Sequence, residues 1–133
     1  MDLNTRYPSV PDMEATAMKR LPGFARDYLV NGLGTGACVE RNRQALDSVQ
    51  LMPRYLSEAG DPNIRCHLLD REYDAPFGVA PIGLSGLIWP HSENILAAAA
   101  KAHNIPYTLS TVATVSLESI PPIAGDNAWF QYY

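Results

Sequence analysis

A length of 133 residues suffices for one domain with a modest core, and a composition of 47% apolar and 18% charged residues is typical of globular proteins. The net charge of −4, without a long basic run, argues against nucleic acid as a partner. Two distant cysteines and an amino terminus without a signal pattern are typical of a cytoplasmic protein, with peripheral attachment at the inner membrane left open.

Residues 1–62 are predicted to form a helical lead-in. Asp12 is expected to cap a helix from Met13 to about Leu21, where a Pro-Gly pair interrupts the pattern. Residues 24–31 and 39–49 carry apolar side chains at helical spacing, which indicates two further helices. Three helices before the first strand indicate a segment that precedes the main body of the fold.

Residues 63–133 are predicted to contain a small hairpin and then the main strands. The apolar run Phe77–Ala80 has the length of a buried strand, and it ends at Pro81 because proline cannot donate to a ladder. Ser92 is expected to cap a helix that reaches about His103, and residues 107–109 form the second strand.

The last part of the chain repeats this alternation. Ser116 is expected to cap a short helix that Pro121 and Pro122 cut off, and residues 128–133 form a third strand. Strands that alternate with helices favour an α/β fold with parallel strands. Three strands are few for a parallel sheet, so we expect the remaining strands to come from a longer chain or from a second chain.

The carboxyl ends of these strands are the expected location of the chemistry. Gly83 has no Cβ, so its backbone can approach a flat ligand closely. Trp129, Gln131 and Tyr133 are expected to share one face of the third strand, because side chains alternate along a strand. The three histidines show no metal-ligand spacing, so no metal site is predicted.

Several short motifs occur together in a fixed order. They are Ala80-Pro81-Ile82-Gly83-Leu84-Ser85-Gly86, Trp89-Pro90-x-x-Glu93, Leu109-Ser110-Thr111 and Trp129-Phe130-Gln131-Tyr132-Tyr133. Each motif is weak alone, but the ordered set resembles the FMN-dependent α-hydroxy acid dehydrogenase and oxidase family. That family includes L-lactate dehydrogenase, mandelate dehydrogenase and glycolate oxidase.

The resemblance implies an eight-stranded β/α (TIM) barrel, of which this chain holds the amino-terminal helices and about three strands. It also implies FMN as cofactor and the oxidation of a lactate- or mandelate-like L-2-hydroxy acid to the 2-oxo acid. The catalytic histidine, arginine and lysine of the family match no residue here and would lie beyond this sequence. The alternative is an inactive remnant or a structural partner chain of such a barrel.

The resemblance also implies roles for individual residues in binding the cofactor. Pro81, Ile82 and Gly83 would lie against the flavin ring near its reactive nitrogen N5. Ser110 would contact the flavin, and the side chain of Gln131 would form a hydrogen bond with the ring.

Two tyrosines are implied to contact the hydroxy acid. Tyr133 would contact the substrate oxygen and is the predicted catalytic residue of this chain, whereas Tyr28 would bind the substrate carboxylate. The family resemblance further implies a homo-oligomer, with a tetramer as the expected form.

Overall fold

A computed structural model describes residues 2–56 and 60–133 of the chain. Residues 57–59, at the end of the predicted lead-in, lie outside the described part. The chain divides into two compact units, Met1–Leu56 and Ser57–Tyr133. Within the described residues, no helix has both the length and the apolar character that a membrane span requires.

The regular elements in the described part of the first unit are all helices. Its helices are α1 (Leu3–Arg6), α2 (Val10–Met18), α3 (Gly23–Val30) and α4 (Ala37–Asp47). The three predicted helices are confirmed with shifted ends, and the short helix α1 was not predicted.

The predicted cap of α2 is wrong. Ser9 caps this helix, and Asp12 lies inside it as the acidic partner of a capping box. The backbone N–H of Ser9 donates a hydrogen bond of 3.1 Å to Oδ2 of Asp12. The helix begins before Pro11 because the first turn of a helix leaves its N–H groups unpaired, so a proline there costs no hydrogen bond.

The second unit combines a hairpin, a short parallel sheet and helices. Its elements are β1 (Cys66–Leu68), β2 (Arg71–Tyr73), α5 (Ser85–Ile88), α6 (Ser92–Ala102), β3 (Tyr107–Leu109), α7 (Pro121–Ala124) and β4 (Ala128–Phe130). Two 3₁₀ turns, Leu117–Ser119 and Gly125–Asn127, flank α7. Strands β1 and β2 pair antiparallel, as predicted, and β3 pairs with β4 in parallel.

The predicted buried strand Phe77–Ala80 is wrong in its extent and burial. Only Val79 pairs with β3, through a single parallel bridge in which its N–H donates to the carbonyl of Pro106 at 2.8 Å. Pro106 and Pro81 lack the N–H groups that would extend the ladder on either side of this bridge. Phe77 is 65% exposed.

The cap predicted for α6 is also wrong. The helix begins at Ser92, and the residue that precedes it is His91, whose backbone is left-handed at φ 60°. Ser92 is therefore the first residue of the helix and not its cap, and its hydroxyl donates to the carboxylate of Glu93 at 3.2 Å.

Two elements near the carboxyl end differ from their predicted forms. Ser116 precedes a 3₁₀ turn, and Pro121 and Pro122 begin helix α7 instead of ending a helix. Proline suits the first positions of a helix because its φ is already close to the helical value. The last strand is shorter than predicted and ends at Phe130.

The core of the second unit lies between the helices and one face of β3. Its buried members are Ala97, Ala100, Tyr107, Leu109, Ile120 and Ala124. Because side chains alternate along a strand, Tyr107 and Leu109 point to the helices, and Thr108 points to the opposite face of the sheet. The sheet face that carries Thr108 is therefore the face away from the helices.

Candidate functional site at the carboxyl ends of the strands

Two polar side chains meet where β3 and β4 end. Ser110 follows β3 and Gln131 follows β4, and the Ser110 hydroxyl donates a hydrogen bond of 3.3 Å to Oε1 of Gln131. A backbone hydrogen bond also joins the two strand ends, because the Gln131 N–H donates to the carbonyl of Leu109 at 2.9 Å. Parallel pairing brings the two ends together, since parallel strands finish at the same edge of a sheet.

The segment after the Val79 bridge approaches the same edge. Residues 81–83 lead into a turn, and the Leu84 N–H donates to the carbonyl of Val112 at 3.0 Å. This bond joins the loop that contains Gly83 to the loop that follows β3. The backbone of Leu84 is left-handed at φ 50°, a conformation that a branched side chain rarely adopts and that often occurs at functional turns.

The two predicted substrate residues differ in their placement. Tyr133 lies three residues beyond β4, and its side chain is 74% exposed. Tyr28 lies on α3 in the first unit, where its side chain is 49% exposed. The structure thus brings Ser110 and Gln131 into contact and joins the loop of Gly83 to theirs, whereas Tyr28 belongs to the other unit.

The groups at this edge fit the rim of a flat heterocyclic cofactor. Among the described residues, none accepts a hydrogen bond from Nε2 of Gln131, so this amide nitrogen can donate to a ring carbonyl or nitrogen of FMN. Ser110 is 5% exposed and supplies a hydroxyl beside it. Backbone close to the ring and polar groups at its edges are what a flavin site requires.

An apolar cavity of about 480 Å³ lies elsewhere on the second unit. Its lining comes from the β1–β2 hairpin, residues 75–80, Pro106, Thr108 and Trp129. The indole N–H of Trp129 donates to the Tyr73 hydroxyl at 3.1 Å, and the two rings meet edge to face. None of the residues predicted for the site lines this cavity.

The side chains of the described residues form no metal site. Within residues 2–56 and 60–133, no group of three or more histidine, cysteine, aspartate or glutamate side chains is arranged to hold a metal ion.

A buried carboxylate next to the candidate site was not predicted from the sequence. Glu93 on α6 is only 1% exposed. Burial alone would raise its pKa, but hydrogen bonds from the side chain and backbone of Thr114, from its own N–H and from Ser85 lower the pKa from 4.5 to about 2. Its spacing from Ala97 and Ala100 was the available signal, because positions i, i+4 and i+7 share one helix face.

The charge on Glu93 also affects a core tyrosine. Tyr107 on β3 is 3% exposed, and burial together with the negative charge of Glu93 raises the pKa of its hydroxyl from 10.0 to about 12. The Tyr107 side chain is therefore neutral at all physiological pH values.

Comparison with known proteins identifies a family and several relatives. The sequence model of a family described as FMN-dependent dehydrogenase matches residues 17–133. A 4-hydroxymandelate oxidase from Amycolatopsis orientalis is 38% identical over 127 residues, which cover 96% of this chain and 35% of the relative. An L-lactate dehydrogenase from Xanthobacter autotrophicus is 35% identical over 125 residues, which cover 94% of this chain and 32% of the relative.

Solved structures show the same fold. A crystal structure of mandelate oxidase superposes with a TM-score of 0.88 at 38% identity and covers 96% of this chain and 37% of that one. A mutant of the active chimera of (S)-mandelate dehydrogenase gives a TM-score of 0.86 at 31% identity, covering 93% and 35%. The chain spans about a third of the length of the curated relatives it matches. These matches confirm the prediction of a partial eight-stranded β/α barrel.

Proposed function

The chain belongs to the FMN-dependent dehydrogenase family, and we propose that it forms the amino-terminal part of an enzyme that oxidises an L-2-hydroxy acid. The proposed product is the 2-oxo acid, and the proposed substrates are lactate- or mandelate-like. The relatives named L-lactate dehydrogenase and 4-hydroxymandelate oxidase support this class of substrate. The rest of the barrel would come from the same polypeptide or from a second chain.

The contact between Ser110 and Gln131 is the observation that best supports FMN binding by this segment. The two side chains meet at the carboxyl edge of a parallel sheet, which is where barrel enzymes bind their ligands. The amide nitrogen of Gln131 would donate to the flavin ring, while Ser110 holds the amide in that orientation. The backbone of Pro81, Ile82 and Gly83 would cover the ring near N5.

The proposed chemistry is divided between the cofactor, this chain and the rest of the barrel. Bound FMN would supply the two-electron acceptor for the α-hydrogen of the hydroxy acid, while a base outside this chain takes the hydroxyl proton. Tyr133 would donate a hydrogen bond to the substrate oxygen, and Tyr28 would bind the carboxylate. Both residues would orient the acid and not carry the transferred hydrogen.

The direct test uses the complete protein that carries this chain, expressed as its gene encodes it. We expect a yellow protein whose visible flavin absorbance bleaches when L-lactate or (S)-mandelate is added without oxygen. A protein that purifies colourless and takes up no FMN would overturn the proposal. Flavin that no L-2-hydroxy acid reduces would overturn the substrate assignment alone. Sedimentation of the same sample tests the homotetramer that forms part of this proposal.

A chimeric enzyme tests the contribution of this segment separately. Residues 17–133 would replace the matching segment of the Amycolatopsis orientalis 4-hydroxymandelate oxidase, which the comparison aligns over nearly the whole chain. We expect the chimera to bind FMN, and we expect Gln131→Leu in the chimera to weaken that binding. A chimera that folds but binds no FMN would contradict the cofactor roles proposed for this chain.

A further inference from the structure

A single buried carboxylate connects three segments of the second unit. Oε1 of Glu93 accepts hydrogen bonds from the Gly86 N–H at 3.2 Å, the Thr114 N–H at 3.0 Å and the Thr114 hydroxyl at 2.6 Å. Oε2 accepts from the Ser92 hydroxyl at 3.2 Å. These donors lie on α5, on the loop after β3 and on α6.

The residues around this carboxylate are closely packed. A side-chain carbon at Gly86 would collide with the Thr114 hydroxyl and would lie 3.3 Å from Oε2 of Glu93. Glycine therefore allows the backbone of α5 to come within hydrogen-bond distance of the carboxylate. A charged group that is 1% exposed needs such a complete set of donors, because an unpaired buried charge is very costly.

The segments that Glu93 connects adjoin the proposed flavin contacts. Residues 81–83 form the loop that leads into α5, and Ser110 begins the loop after β3. Gly86 lies three residues after Gly83, and Thr114 lies four residues after Ser110. The Leu84–Val112 backbone bond joins the same two loops nearer to the site. A change in the spacing of these loops would move the backbone of residues 81–83 relative to Ser110.

We propose that Glu93 is a positioning residue that sets the spacing between the two flavin-contacting loops of this chain. Its carboxylate holds α5 against the loop after β3, and it acts through Gly86 and Thr114 without touching the cofactor. This inference rests on the proposed function, since it concerns the same site.

The test compares two buried polar residues at opposite ends of the same sheet. Asn127 is the matched control, because it is 4% exposed and its side chain donates to the Ile105 carbonyl at 2.9 Å and accepts from Arg71 at 3.0 Å. It lies just before β4, at the amino ends of the strands. Both variants remove buried hydrogen bonds, but only Glu93 holds the loops at the carboxyl ends.

The measurements are the FMN dissociation constant, the reduction potential of the bound flavin and the melting temperature of the complete protein. We expect Glu93→Ala to raise the dissociation constant about tenfold or more and to shift the potential. Both alanine variants should lower the melting temperature by a similar amount, because each removes buried hydrogen bonds. Asn127→Ala should change the FMN dissociation constant less than about twofold. Glu93→Gln keeps the size and one acceptor oxygen, so it should give an intermediate value and serves if the alanine variant fails to fold.

The possible outcomes are distinct. Equal effects of the Glu93 and Asn127 variants on FMN affinity would show a role in stability only and would overturn the inference. Unchanged affinity and potential in Glu93→Gln and Glu93→Ala would overturn it too. A wild-type protein that takes up no FMN would overturn the proposed function, and this inference with it.

Discussion

The Ser110 hydroxyl donates a hydrogen bond of 3.3 Å to Oε1 of Gln131, which joins the ends of two neighbouring parallel strands. The residues are 21 positions apart in the chain, and β3, α7 and β4 bring them together. The bond uses the acceptor atom of the Gln131 amide and leaves its nitrogen to donate elsewhere. The bond from Ser110 thus orients the Gln131 amide so that its nitrogen, and not its oxygen, is left to bind a ligand.

Ser110→Ala is expected to weaken FMN binding. Loss of the hydroxyl leaves the Gln131 amide free to rotate, and a single hydrogen bond of this kind contributes about 1 kcal/mol. The FMN dissociation constant of the complete protein should therefore rise about five- to tenfold, as measured by fluorescence titration. Thr108→Val is the control, because Thr108 lies on β3 two residues before Ser110 and has no proposed role in binding FMN. An equal loss of affinity in both variants would contradict the assignment.

Tyr133→Phe is expected to impair turnover without loss of cofactor. The proposed role is a hydrogen bond to the substrate oxygen, and its removal should lower kcat about tenfold or more with an unchanged FMN content. Tyr132→Phe is the matched control, because its side chain is 88% exposed and it has no proposed role. Steady-state kinetics with L-lactate and (S)-mandelate measure the effect. Identical kinetics of the two variants would remove Tyr133 from the site.

The charge on Glu93 should make stability depend on acid pH. Its pKa is about 2 in the folded chain and 4.5 without its partners, so its contribution is complete above pH 4.5 and is lost between pH 4.5 and about 2. The full contribution is about 3 kcal/mol. Denaturant unfolding of the wild type and Glu93→Gln should show a difference in free energy that shrinks as the pH falls through this range. A difference that is constant with pH would contradict the lowered pKa.

The Tyr107 hydroxyl should make stability depend on alkaline pH. Its pKa is about 12 in the folded chain against 10.0 for a free tyrosine, so the stabilisation is complete below pH 10 and is lost as the pH rises from 10 to 12. We expect the wild type to lose about 2 kcal/mol more than Tyr107→Phe over that range. The difference in tyrosinate absorbance between the wild type and Tyr107→Phe should show Tyr107 ionising at about pH 12. Ionisation near pH 10 would contradict the burial of its hydroxyl.

Leu109→Ala should strongly destabilise the core of the second unit. The Leu109 side chain is 1% exposed between β3 and the helices, so the substitution leaves a cavity and should cost about 2–5 kcal/mol in the free energy of unfolding. Ile95→Ala is the control, because Ile95 on α6 is 54% exposed and its truncation should cost less than about 1 kcal/mol. Similar losses from the two variants would place the core elsewhere.

Local sequence patterns were sufficient to predict most elements. The apolar spacing of residues 24–31 and 39–49 depends on neighbours along the chain, and helices formed in both segments. The helix caps were less predictable. Asp12 is bonded to Ser9 and Ser92 to Glu93, and the sequence pattern does not show which polar residue in such a pair is the cap. The role of Pro121 was wrong for another reason, because a proline that begins a helix and a proline that ends one look alike in the sequence.

The sequence by itself determined the alternation of strands and helices in the second unit, the motifs that resemble the family, and the position of Ser110 directly after a strand. Only the tertiary structure decided that Ser110 contacts Gln131, that Val79 forms a single bridge, and that the Glu93 carboxylate lies among donors from three segments. The physical reason is that periodicity reports the environment of a residue relative to its neighbours in the chain. Hydrogen bonds and burial depend on which distant segments the fold packs together.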